Sequence, residues 1–124
     1  MGQVAPGDDT AIDSAQIQRA IKIAEKRTGL NWSVFVGDLG GEPRAEALAR
    51  HGALGPAAAE SVLLAVDPTA HRLEIVTGAR ARKRVDDHSC ALAAASMAGT
   101  FAVRDLDGGI ARGILALVEH DRRG

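Results

Sequence analysis

Apolar positions follow two rhythms along the chain. At the helical rhythm, Ile17, Ile21, Ala24 and Thr28 share one face. Asp13 or Ser14 can cap this segment, Gln16 stands in capping-box position after Asp13, and Gly29 supplies a stop. The rhythm then becomes two: in "NWSVFVGD", Trp32, Val34 and Val36 alternate with Ser33 and Phe35, the signature of a strand. "LGGEP" breaks it, and Pro43 suits the first turn of a short helix, "RAEALARH", closed by Gly52. "GALGPAAAE" reads as a loop before the continuous apolar run Ser61–Val66, which predicts a central strand.

Asp67-Pro68-Thr69-Ala70 is turn chemistry, and "HRLEIVTG" after it alternates Leu73 and Ile75 with Arg72, Glu74 and Val76. Its charged face predicts an edge strand, and the short connection makes it the second arm of an antiparallel hairpin. The first two strands, separated by a helix, should be parallel. A basic segment leads into an Ala-rich helix ending near Phe101. A last helix follows, with Leu106, Ile110, Ile114 and Leu117 at helical spacing. The expected fold class is therefore α/β: a small mixed β-sheet flanked by helices, in the order α-β-α-β-β-α-α. One domain over residues 13–120, preceded by a disordered tail over residues 1–12, accounts for the chain.

Composition narrows this picture. A length of 124 residues suits one core. With one Trp, two Phe and no Tyr, that core must be built by close approach of Ala-rich helices to the sheet. A net charge of −1 gives no field to recruit nucleic acid. The single Cys90 excludes an internal disulfide and a cysteine-rich zinc site. The opening "MGQVAPGDDTAIDS" has no apolar signal core, and no run reaches the ~20 apolar residues of a membrane span. The expectation is a cytoplasmic protein.

Candidate chemistry concentrates in "RVDDHSC". Asp86 and Asp87 stand where a helix begins, so capping competes with metal ligation for their carboxylates. His88, Ser89 and Cys90 are consecutive, and rotation of about 100° per helical residue keeps them from forming a triad. Cys90, Ala94, Met97 and Phe101 share a stripe, which assigns the thiol to the core and His88 to the surface.

Asp38, Asp67 and His71 form a second group at the ends of the strands. That is the edge where open α/β sheets bind ligands, beside a Gly40-Gly41 pair. "DLDGG" from Asp105 lacks the remaining ligands of a calcium loop, and Asp105 is placed to cap the last helix. Gly108, Gly109 and Gly113 would let that helix pack closely. Arg80–Arg84, without aromatic neighbours, reads as a solvated face rather than a nucleic-acid footprint.

The order of these pieces resembles the TPM-domain family from about Ile17 to Val118. The resemblance rests on "AEKRTGLNWSVFVGDLGG", the hairpin "SVLLAVDPTAHRLEIVTG", the acidic helix start after Gly78, and "FAVRDLDGGIARGI". It is most similar to the short soluble actinobacterial branch, which carries no assigned function. The family's acidic residues lie near one sheet edge and are associated with divalent cations such as calcium or magnesium. The resemblance maps them onto Glu60, Asp87 and Asp105, with Glu60 and Ser61 replacing the family's Asp and Gly. It implies an uncharacterised, non-enzymatic interaction or regulatory module with an unknown protein partner. A divalent-metal-dependent phosphatase-like hydrolase is the alternative, and small-ligand binding at Asp38, Asp67 and His71 a second.

Overall fold

The computed structural model describes residues 3–5, 14–98 and 106–121. Gln3–Ala5 forms strand β1, followed by helix α1 (Ala15–Thr28), β2 (Asn31–Val36) and α2 (Pro43–Gly52). Next come β3 (Ser61–Asp67), β4 (Arg72–Thr77), α3 (Asp87–Ala98) and α4 (Leu106–Glu119). The sheet runs β1-β2-β3-β4, with β1, β2 and β3 parallel and β4 antiparallel to β3. The expected mixed α/β architecture, parallel crossover and hairpin are all present. Three local differences stand beside them. Gln3–Ala5 pairs with Ser33–Phe35, where a disordered tail over residues 1–12 was expected. Backbone hydrogen bonding along an exposed edge supplies an order that the polar composition of the tail did not signal. "GPAAAE", read as loop, forms a 3-10 helix over Gly55–Glu60, and a shorter 3-10 turn covers Ala81–Lys83.

The punctuation of α1 follows local rules. Ser14 Oγ accepts from the Ile17 N–H at 3.3 Å, and Gly29 ends the helix at φ 74°, a left-handed cap. Asp13, the other capping candidate, lies outside the described residues, as do Phe101 and Asp105.

Strand alternation divides the sheet into two faces. Trp32, Val34, Val36, Val62, Leu64, Val66 and Ile75 join α1, α3 and α4 in the larger core. Phe35, Leu63, Ala65 and Val76 meet Leu39 and Ala47 on the α2 side. All seven residues of β3 are buried, as befits a strand covered on both faces. Thr28 organises the entry to β2. Its hydroxyl donates to the Ala24 carbonyl at 2.6 Å and accepts from Leu30 N–H at 3.1 Å and Trp32 Nε1–H at 3.0 Å. The indole is thereby buried with its one polar atom satisfied.

At the C-terminal side of the domain, Gly113 packs so close to α3 that an added Cβ would meet Met97 Sδ at 2.1 Å. This is the close helix approach expected of the glycine cluster, and Gly108 and Gly109 are buried on the same helix. Arg84 pins the turn before α3 to the end of α4. Its Nε and Nη2 donate to Asp121 Oδ1 and Oδ2 at 2.7 and 2.6 Å, a forked pair in which both side chains are largely buried.

Candidate functional site

The stretch "RVDDHSC" resolves into separate jobs. Asp86 Oδ1 accepts from the Ser89 N–H at 2.8 Å, and its carbonyl accepts from Cys90 N–H, so Asp86 caps α3. Asp87 is the first helical residue. Its side chain is 85% exposed and stands 3.7 Å from Arg82 Nε. His88 is exposed and Ser89 is buried. Cys90 belongs to the larger core beside Ala93 and Met97, with Ala94 packed against it. Burial first, then the Asp87 and Asp86 carboxylates, push its thiol up to about 11. At neutral pH the sulfur is therefore protonated, the form that is not nucleophilic.

Glu60 and Asp87 approach the same basic turn from two sides. Glu60 Oε2 pairs with Arg80 Nη1 at 3.3 Å, both side chains being exposed, while Asp87 faces Arg82. Exposed pairs of this kind contribute little to stability, about 0–1 kcal/mol each. Asp105, the third residue of the implied metal set, lies outside the described residues. Among the described residues, no group of three or more His, Cys, Asp or Glu comes together to hold a metal ion.

The turn is anchored by backbone rather than by charge. Ser61 O accepts from Gly78 N–H at 3.0 Å and from His51 Nε2 at 3.1 Å, and Ala59 O accepts from Arg80 N–H at 2.8 Å. A carbonyl only accepts, so Nε2 of His51 carries a proton. Ser61 Oγ in turn donates to Ala57 O at 2.6 Å. His51 had not been singled out from sequence, although Ala47 four residues earlier lies on the same buried face of α2.

Asp67 ends β3 and Asp38 lies in the loop after β2, with His71 in the turn that follows β3. Asp67 is buried, and its two oxygens accept from Leu39 N–H at 3.0 Å and Ala70 N–H at 3.1 Å. It thereby ties the loop after β2 to the turn after β3. Asp38 Oδ1 accepts from Gly40 N–H at 2.8 Å, an Asx-type turn. His71 adopts φ 55° and is exposed in the hairpin turn. Gly40, Gly41 and Glu42 line a shallow depression beside them.

A further depression opens between β4 and α3, lined by Arg44, Leu73, Glu74, Ile75, Asp87 and Cys90 among others. Arg44 crosses the sheet edge to reach it: Nη1 donates to Ile75 O at 2.9 Å and lies 3.3 Å from Glu74 Oε1. Next to it α3 turns Ala91, Leu92, Ala95 and Ala98 to the outside, with Leu92 49% exposed. Neither Arg44 nor this apolar face had been singled out from sequence.

Fold and site together define a small α/β domain in which Asp38, Asp67, Asp86 and the Arg84–Asp121 pair work as structural ties. By sequence the chain belongs to the family described as a domain of unknown function (DUF5130), whose model matches residues 6–118. No curated protein matches it. Among solved structures it is similar to the solution NMR structure of the N-terminal domain of a protein from P. gingivalis. That likeness has a TM-score of 0.77 and 15% identity, over 94% of this chain and 80% of that one. It is a likeness of fold. No helix among the described residues is long and apolar enough to cross a membrane.

Proposed function

We propose that the protein is a TPM-like domain acting as a non-catalytic interaction module. One observation carries this reading: among the described residues, several side chains with chemical potential have structural roles. Asp86 caps α3, Asp67 bridges two loops, Asp38 closes its own turn, and Cys90 is protonated in the core. Glu60 and Asp87 face arginines of one turn. The surface on offer is the outward apolar face of α3 beside the depression at β4. The TPM-like assignment is supported by the Thr28-Gly29 stop, the hairpin ending at Thr77-Gly78 and the acidic start of α3.

The alternative is a divalent-metal-dependent hydrolase with Glu60, Asp87 and Asp105 around calcium or magnesium. What favours it is that Glu60 and Asp87 pair with arginines of the same segment, Arg80 and Arg82, and that Asp87 is exposed. A thermal-shift series with calcium, magnesium, manganese and zinc against a chelator separates the two. The interaction module predicts an unchanged Tm. A specific site at 100-fold over its Kd would add about 2.7 kcal/mol, and a shift lost in Glu60→Ala and Asp87→Ala would overturn the proposal in favour of the metal site.

A further inference from the structure

β4 is an edge of the sheet, and in the antiparallel ladder its alternate residues turn their N–H and C=O groups away from β3. Ile75 and Thr77 belong to that outward set, and Gly78, bonded to Ser61 O, belongs to the inward one. Leu73 completes the outward set, and the Ile75 and Thr77 carbonyls within it are occupied by side chains. Arg44 Nη1, from α2, donates to Ile75 O at 2.9 Å, and Arg82 Nη2, from the turn before α3, donates to Thr77 O at 2.9 Å. The two arginines come from different elements on either side of the strand. Each is also steadied by an acid, Glu74 for Arg44 and Asp87 for Arg82. Edge strands invite pairing with another strand, which needs free acceptors in register. Here two successive acceptors are filled by charged donors, which an arriving strand must displace.

We propose that Arg44 and Arg82 are a built-in guard on the β4 edge, and that without them β4 pairs with the β4 of a second copy. The second copy is the natural occupant because antiparallel pairing of a strand with itself about a two-fold axis is self-complementary. The guard rests on the two arginine–carbonyl bonds and does not depend on the proposed interaction role.

The test compares the wild-type chain with the Arg44→Ala/Arg82→Ala variant by sedimentation velocity over a wide concentration range, with amide hydrogen exchange on the same samples. The variant should self-associate at a concentration at least about tenfold lower than the wild type, with the outward amides of Ile75 and Thr77 gaining protection on association. A folded variant that sediments like the wild type overturns the proposal. So does association that leaves those two amides unprotected. Wild-type protein that associates merely on adding salt would show that charge repulsion is the guard, and would equally refute acceptor capping. Should the double variant fail to fold, guanidinium NMR of the wild type decides: slow Cζ–Nε rotation in both arginines supports the guard, and fast rotation in both overturns it.

Discussion

At Gly78 the backbone of a neighbouring segment leaves no room for a side chain. A Cβ built there would lie 1.9 Å from Ala58 O and 2.6 Å from both C and O of Ala59. All three atoms are backbone of the 3-10 helix, so relief requires moving that helix or the end of β4. The movement would disturb the Gly78 N–H to Ser61 O bond at 3.0 Å and the Arg80 N–H to Ala59 O bond at 2.8 Å. Overpacking a tight contact costs about 1–3 kcal/mol, and each weakened hydrogen bond adds about 1 kcal/mol. Gly78→Ala should therefore destabilise by about 3–5 kcal/mol, a large share of the 5–15 kcal/mol typical of a domain. For a chain of 124 residues that is a fall in Tm of roughly 10–20 °C. Urea denaturation at constant m-value is the assay. Gly52→Ala is the control: nothing lies within 4 Å of its Cβ, and at the end of α2 the gain in helix propensity should leave it neutral or up to about 1 kcal/mol more stable. A Gly78→Ala midpoint indistinguishable from wild type would refute the packing argument.

Thr28→Val keeps the shape of the α1 terminus but strips the hydroxyl from Leu30 N–H and Trp32 Nε1–H. Two buried donors without an acceptor should cost about 2–4 kcal/mol by the same urea assay, and a loss under about 1 kcal/mol would mean water replaces the hydroxyl. The Cys90 thiol should resist alkylating reagents at neutral pH in the native state and react readily in denaturant. Its raised value also has a sign: the folded state holds the thiol proton more tightly than the unfolded chain. Stability from this group is fully present below about pH 9 and declines as pH rises towards about 11. The stability of Cys90→Ala should fall less steeply over that window, and parallel curves would remove Cys90 as the cause.

Much of this protein is local and was legible as such. Helical spacing set the face of α1, Gly29 marked its end, and the uninterrupted apolar run of Ser61–Val66 announced a strand buried on both sides. The turn chemistry of Asp67-Pro68 and the charged face of β4 announced a hairpin at the sheet edge. Helical rotation alone separated His88, Ser89 and Cys90 and turned the thiol inward. Each of these depends on neighbours within a few residues, which is the range over which backbone geometry correlates side chains.

The tertiary structure decided the partners. Nothing within the sequence pairs Arg84 with Asp121, or sends Arg44 over the sheet edge to Ile75 O, because those contacts join elements far apart in the chain. Local composition made Asp86 and Asp87 equivalent candidates. Only the direction of the first turn of α3 gave the capping bond to Asp86 and left Asp87 in solvent. For Asp67, turn chemistry and a place at the sheet edge were both legible, but the Leu39 N–H that one of its oxygens accepts from lies in a loop that only the fold brings near. Periodicity therefore determined which faces are buried. Which polar atom satisfies which depended on chain segments meeting in space, where a buried donor or acceptor without a partner is too costly to leave.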